Sequence, residues 1–245
     1  MSTIWHLVLY QPLFNILMLI YHFIPDIGVA IIILTIIIRL ILYPSQAKAL
    51  RAQKRLQEIQ PELQKIQEKY KDDKQKQAKA IMEFYQTHKV SPFSSCLPTL
   101  IQFPIIIALY QVFRTGLNTS RISEIYSFLP KPETITPTFL GILDLTKPEH
   151  FVLPIIAGAT QFLQAWMMMP KTKKKQTQST QEMVSRQMIY FMPLMVVFFA
   201  ATLPSALPLY WVVTSLFAIL QQYLINKEKF FPKKVKIKIK SKNEK

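Results

Sequence analysis

Arg39 stands inside an apolar run, IIILTIIIRLILYPS. At a bilayer centre an arginine costs about 2.5–3.5 kcal/mol on insertion scales, so a buried one is expected to have a task. Arg39 lies only ~7 Å from the end of its run at Pro44, near enough for its side chain to snorkel to headgroups. Other apolar stretches carry amides at matching depth. Gln102 lies mid-run, Gln161 and Gln164 share one face near the end of another run, and Gln221 and Gln222 close the last. Thr35 is one turn from Arg39. Amides in hydrocarbon need partners or water. A water-filled cavity entered from one side and ending midway would supply both. The opposite half offers little beyond Thr202, Ser205 and the Tyr210–Trp211 pair, which argues against a through-pore. Gln111 lies about 180° from Gln102 on a helix, so only one of the two can face the cavity.

These groups bind and hydrate; they do not make or break bonds. The four histidines, at 6, 22, 88 and 150, fall outside the transmembrane spans expected below, and none sits at catalytic or metal-ligand spacing from a carboxylate. No enzyme, metal site or cofactor is therefore expected. The single cysteine, Cys96, excludes an internal disulfide framework.

The positioning elements follow from charge patterning. Half of the 245 residues are hydrophobic and 18% are charged, and the charges come in blocks. Between Arg186 and Lys227 forty residues run without charge, enough for two crossings of a ~30 Å layer. Five transmembrane helices are expected at 27–43, 93–113, 151–169, 188–203 and 207–225, making an all-α integral membrane protein. Prolines 98, 104, 154 and 193 lie in or near these spans, which a helix bundle tolerates. With four glycines, small-residue contacts are not expected to dominate assembly. Seven of ten methionines lie between Met167 and Met195, where they could serve an adaptable apolar surface or ordinary lipid-facing filler.

Lysine and arginine counts set the orientation. They run zero before the first span, eleven in 45–91, four in 114–150, five in 170–187, zero in 204–206 and nine from 226 onward. This places the N-terminus outside and the C-terminus in the cytoplasm. Residues 1–26 hold an apolar helix with Gln11, Asn15 and His22 within about 40° of one another, which suits the outer interface better than a sixth crossing. Neither a cleavable secretory signal nor a lipid-modified start is expected. Residues 45–90 form a cytoplasmic helical hairpin: Leu56, Ile59, Leu63, Ile66 and Tyr70 repeat at coiled-coil spacing, with a polar turn at Lys71–Lys74. Pro61 is expected to interrupt and bend the first hairpin helix. The loops at 114–150 and 170–187 are extracytoplasmic and cytoplasmic, respectively. The tail, 226–245, includes Lys233, Lys234, Lys236, Lys238 and Lys240, and its net charge contributes to the chain's total of +16. It is read as disordered, attracted either to anionic lipid or to ribosomal RNA.

The runs LTIIIRLILYP, LQEIQPELQKIQEKYKDD, CLPTLIQFPIIIALYQ and ALPLYWVV followed by LQQYLI resemble the YidC insertase family, related to the Oxa and Alb proteins of organelles. The resemblance spans about residues 25–226. It implies five transmembrane helices around a groove open to the cytoplasm and to lipid. By resemblance the groove residues are Arg39, Gln102, Gln164 and the Tyr210–Trp211 pair. Ser94–Ser95 and Ala206 stand where the family more often has small residues or glycine, and Pro208 is additional. The resemblance is to shorter bacterial plasma-membrane forms without a large extracytoplasmic domain.

The implied function is insertion and chaperoning of nascent membrane proteins. The expected partners are nascent chains, the translating ribosome and the lipid bilayer, with a Sec translocon as a candidate helper and no DNA. A small transporter or channel is the alternative, although it would predict paired polar repeats at the midplane, which are not found. Deleting Lys233–Lys245 should weaken ribosome association and flatten its salt dependence, measured by co-sedimentation across a salt series. Unchanged affinity at every salt concentration would leave only the lipid role.

Overall fold

In the computed structural model, which describes residues 3–88, 90–91, 97–116, 119–169 and 180–227, helices dominate. A helical turn, Thr3–Trp5, and a π-turn, His6–Tyr10, lead into α1 (Gln11–Phe23). The longest element, α2 (Ile27–Lys69), starts at a carboxylate. The Oδ1 of Asp26 accepts from the Val29 amide at 2.9 Å, satisfying one of the donors that a helix start leaves free. A turn then leads to α3 (Lys74–Thr87). Next come α4 (Leu97–Gln111), continuing as a π-turn over Val112–Gly116, and a 3-10 turn at Thr119–Glu124. After them follow α5 (Val152–Met167), α6 (Thr180–Thr202) and α7 (Ala206–Lys227). The fold is that of an all-helical membrane protein.

By length and composition, three described helical segments suffice to cross a membrane: His6–Phe23, α2 and α7. The apolar parts of α4, α5 and α6 are shorter. Residues 27–43 and the first arm of the hairpin form a single helix. Neither Pro44 nor Pro61 interrupts it, contrary to the expected break at Pro61. A proline removes one amide donor and crowds the preceding turn. Both prolines lie on the exposed side of α2, and strong helix formers such as Gln46, Ala47, Lys48, Ala49 and Leu50 carry the helix onward.

At the far end of α2 the chain reverses through Tyr70–Asp73. Asp73 caps α3 by accepting from the amides of Gln75 and Lys76 at 3.1 and 3.0 Å. Hydrogen bonding from Lys76 holds this carboxyl below its usual range. The two arms meet through Gln77 Nε2, which donates to the Gln67 carbonyl at 2.7 Å, and through a His88–Glu62 pair at 3.6 Å. Leu63 is buried in this seam, while Leu56, Ile59 and Ile66 are half-buried. The apolar seam is thin, so polar contacts help to hold the arms together.

The apolar core lies at the opposite end. It joins Phe14, Leu17 and Met18 of α1 to Ile27, Ile31 and Leu34 of α2, with Leu109, Val112 and Phe113 from the end of α4. Ile125, Ile135 and Leu145 of the 119–150 connection close over it. That connection contains a small antiparallel ribbon, β1 (Thr138–Phe139) paired with β2 (Leu143–Asp144), which sequence patterning did not suggest. Leu140 and Gly141 turn the ribbon with φ values of 52° and 70°. Only the glycine adopts such angles without steric cost. Asp26 supports the turn: its Oδ2 accepts from the Leu140 amide at 2.7 Å.

Tertiary contacts sort the connections into two groups. The 119–150 segment touches the N-terminal region at His6, Asn15, Tyr21 and Asp26. It also holds the 203–206 turn: Ser205 Oγ donates to the Lys147 carbonyl at 2.6 Å, and the Ala206 amide donates to that of Leu145 at 3.1 Å. At the other end, the base of the hairpin meets the ends of α5 and α7. Gln57 Nε2 donates to the Met168 carbonyl at 2.8 Å, and Lys54 donates to Asn226.

Gly28, in the first turn of α2, packs against the ribbon. A Cβ there would lie 2.2 Å from Phe139 Cδ2 and 2.6 Å from its Cβ. Gly28→Ala should therefore destabilise the protein by about 1–3 kcal/mol, outweighing the helix propensity gained. Thermal unfolding in detergent would show it as a lowered Tm.

Candidate functional site

On α2 the buried positions Ile31, Leu34, Thr35, Ile38 and Arg39 recur every three or four residues and so form one stripe. Thr35 returns its hydroxyl to the Ile31 carbonyl at 2.7 Å, so its polarity is consumed within the helix. Arg39, next on the stripe, is only 7% exposed. Its Nη2 donates to Gln102 Oε1 on α4 at 3.1 Å. The other end of that amide, Nε2, donates to the Tyr210 hydroxyl on α7. A guanidinium only donates, a phenol can accept, and a glutamine amide does both. Gln102 is therefore the adapter in a three-helix chain from Arg39 to Tyr210.

Tyr210 is 1% exposed and occupies the first turns of α7. The 144–148 segment braces the start of that helix through Ser205 and Ala206. The 119–150 connection thus fixes the height of the phenol, the phenol fixes Gln102, and Gln102 orients the guanidinium. The Arg39 Nε is buried without a hydrogen-bond partner. Among the described residues no carboxylate pairs with Arg39. The site is a buried positive charge with neutral partners and donor capacity to spare.

The other singled-out residues fall into separate groups. Gln161 on α5 accepts from Ser215 Oγ on α7 at 3.1 Å. Gln221 Nε2 donates to the Tyr43 carbonyl at 3.2 Å, joining α7 to α2 one turn beyond Arg39. Gln222 is buried, and its Oε1 has no hydrogen-bond partner. With Leu50, Gln53, Lys54 and Met168 it lines a cavity of about 30 Å³, which by volume would admit about two waters. Burial holds the Lys54 ammonium there below its usual lysine value. Gln164 is half-buried on α5 and is not hydrogen-bonded to the Arg39 chain, while Trp211 is half-buried beside Tyr210. Gln111 points away from Gln102 and accepts from Trp5 Nε1 at 3.0 Å. Lys233, Lys234, Lys236, Lys238 and Lys240 lie outside the described residues.

Sequence reasoning missed Ser215, although it lies seven residues before Gln222 and therefore on the same helix face. It also missed the His6–Glu124 pair at 3.7 Å and the His88–Glu62 pair, whose partners are far apart in sequence. Each involves one histidine and one carboxylate, and no group of three potential metal ligands occurs among the described residues.

A polar network threaded between apolar helices defines a helical membrane protein with a buried polar site. The chain belongs to the family described as 60Kd inner membrane protein, which it matches over residues 19–234. It is similar to proteins named "Membrane protein insertase YidC" from several bacteria. The one from Geobacter metallireducens is 35% identical over 91% of this chain and 38% of that relative. For Clostridium tetani the figures are 40% over 82% and 81%, and for Fusobacterium nucleatum 36% over 84% and 89%. The chain thus spans well under half the length of the Geobacter relative and most of the other two. Family and apolar helices together make it a bacterial membrane protein.

If Gln102 is the adapter, the energies of its two ends are coupled. Tyr210→Phe removes the acceptor of the half-buried Gln102 amide and should cost about 0.5–1.5 kcal/mol. In a Gln102→Leu background the same change should cost markedly less. A double-mutant cycle on thermal unfolding in detergent measures the difference, and simple additivity would remove the adapter role.

Proposed function

We propose that this chain is an insertase that assists nascent membrane proteins into the bilayer, with no covalent chemistry of its own. The observation that carries the proposal is Arg39, a buried cation without a carboxylate partner among the described residues. The names of its relatives support the same reading. Arg39 offers positive charge to an acidic segment of a client, and Gln102, Gln161, Gln164, Gln221 and Gln222 hydrate the route to it. The client's apolar helix slides along the lipid-open side and partitions into the bilayer, which supplies the driving force.

We place the N-terminus outside, the C-terminus in the cytoplasm and the hairpin on the cytoplasmic face, with five crossings. The lysine and arginine counts support this arrangement, as does the grouping of 119–150 with the 203–206 turn. The N-terminal helix lies in the outer interface. Its contacts with 119–150 at His6, Asn15 and Tyr21 support that placement, because they bind much of its length to one connection. Asn15 of its polar stripe is buried under the Tyr126 amide, which takes the place of water. The translating ribosome is the partner of the lysine tail, and a Sec translocon is a candidate co-worker.

Arg39→Ala should retain the fold and lower insertion of clients with acidic translocated segments by roughly tenfold. The loss of one close charge pair in a partly dehydrated site is large enough for that. Arg39→Lys should keep much of the activity, and clients with neutral segments should suffer little. Protease protection of clients in proteoliposomes reads each case. Full insertion of acidic clients by Arg39→Ala would remove the mechanism.

A further inference from the structure

Around Asp26, where α1 gives way to α2, apolar side chains stand in the open. Phe23 is 75% exposed, Leu140 65% and Ile142 89%, and Ile24 is exposed as well. Asp26 Oδ2 holds the Leu140 amide, and Phe139 rests on Gly28, so the ribbon tip is fixed to the first turn of α2. This is a built apolar knob on a helix terminus.

The length of α2 says what covers it. The apolar stretch of α2, residues 27–43, ends at Tyr43, just before Pro44 and the first following charge at Lys48. Seventeen residues rise only ~25 Å, against a hydrocarbon layer of ~30 Å. With Tyr43 at one boundary, the other boundary falls about 5 Å beyond Ile27, at the level of Asp26 and the ribbon tip. Tilt would shorten the span further and draw the knob deeper.

A bare carboxylate would resist that depth. Asp26 is not bare: its two oxygens accept from Val29 and Leu140 at 2.9 and 2.7 Å, and it faces the positive end of a helix. Lys147, paired with Asp144 at 3.1 Å and with its side chain mostly exposed, carries a cation beside the ribbon that can meet headgroup phosphates.

The geometry points to a membrane anchor: the ribbon tip Leu140–Ile142, with Phe23 and Ile24, wedges into the leaflet surrounding the N-terminal end of α2, and its partner is lipid acyl chain. The wedge extends the short apolar length of α2 and pins its outer end, and with it the end of α1. It rests on α2 crossing the bilayer, not on the insertion of clients.

The test uses the full chain with Cys96→Ser, carrying single cysteines at 142, 133 or 41, labelled with an environment-sensitive fluorophore. The protein is reconstituted in phosphatidylethanolamine–phosphatidylglycerol vesicles with spin labels on the acyl chains. Glu133 is exposed on the same connection, and Ile41 is exposed on α2. The label at 142 should shift to the blue and be quenched by the acyl spin labels. The label at 133 should stay at its water wavelength, and the label at 41, about 3 Å inside the Tyr43 boundary, should be quenched most by spin labels near the headgroup end of the acyl chains. A label at 142 that stays at the water wavelength and is quenched by aqueous iodide, while that at 41 is lipid-quenched, overturns the anchor and leaves the crossing intact. Shielding of 142 only when an apolar client is added overturns it in favour of a protein-binding surface. Loss of lipid quenching at 41 would instead count against the crossing on which the anchor rests. Because position 142 is exposed, its labelling leaves the core packing untouched.

Discussion

A guanidinium held among apolar helices must find acceptors, and Arg39 finds one in Gln102. The rest of the described architecture can be followed from that need. Burying a cation without a counter-charge is expensive, so its partners have to be fixed rather than mobile. Gln102 is fixed by Tyr210, Tyr210 by the first turn of α7, and that turn by the carbonyls of Leu145 and Lys147. A connection at one end of the molecule thereby sets the orientation of a charge deep within it.

The division of the molecule into two halves has the same origin. Where the 119–150 segment closes over α1, α2 and the end of α4, side chains pack as an ordinary apolar core. Beyond Arg39 the helices meet through amides and hydroxyls instead: Gln161 with Ser215, Gln221 with Tyr43, Gln57 with Met168. The packed half supplies rigidity, and the polar half is joined by hydrogen bonds between helices. One exception in the packing is Gly158, where a Cβ would come within 2.3 Å of Val197 and which therefore lets α5 and α6 approach closely. With so few glycines, this contact is local rather than a general plan.

The helices were legible because charge and apolar runs alternate so sharply. Arg39, Gln102 and Tyr210 were all visible as candidates. Their union was not, because depth judged from backbone rise alone puts Tyr210 in the outer half. A phenol and an amide reaching toward each other cross that difference. The continuity of α2 through Pro44 and Pro61 was hidden because proline rules describe a cost, not a prohibition, and both prolines sit on the exposed side. The ribbon was hidden because two-residue strands are too short to show alternation, and its support, Asp26, is more than a hundred residues away.

The unbroken α2 has a mechanical meaning. From Arg39 to Lys69 the helix extends ~45 Å, so the hairpin tip is the long arm of a lever whose short arm carries the guanidinium. Asp26, Gly28 and the ribbon clamp one end of this rod, and the Gln57–Met168 and Lys54–Asn226 contacts form a bearing partway along it. A load on the hairpin tip is therefore transmitted as torque about that bearing, and the two prolines mark where the rod is most compliant.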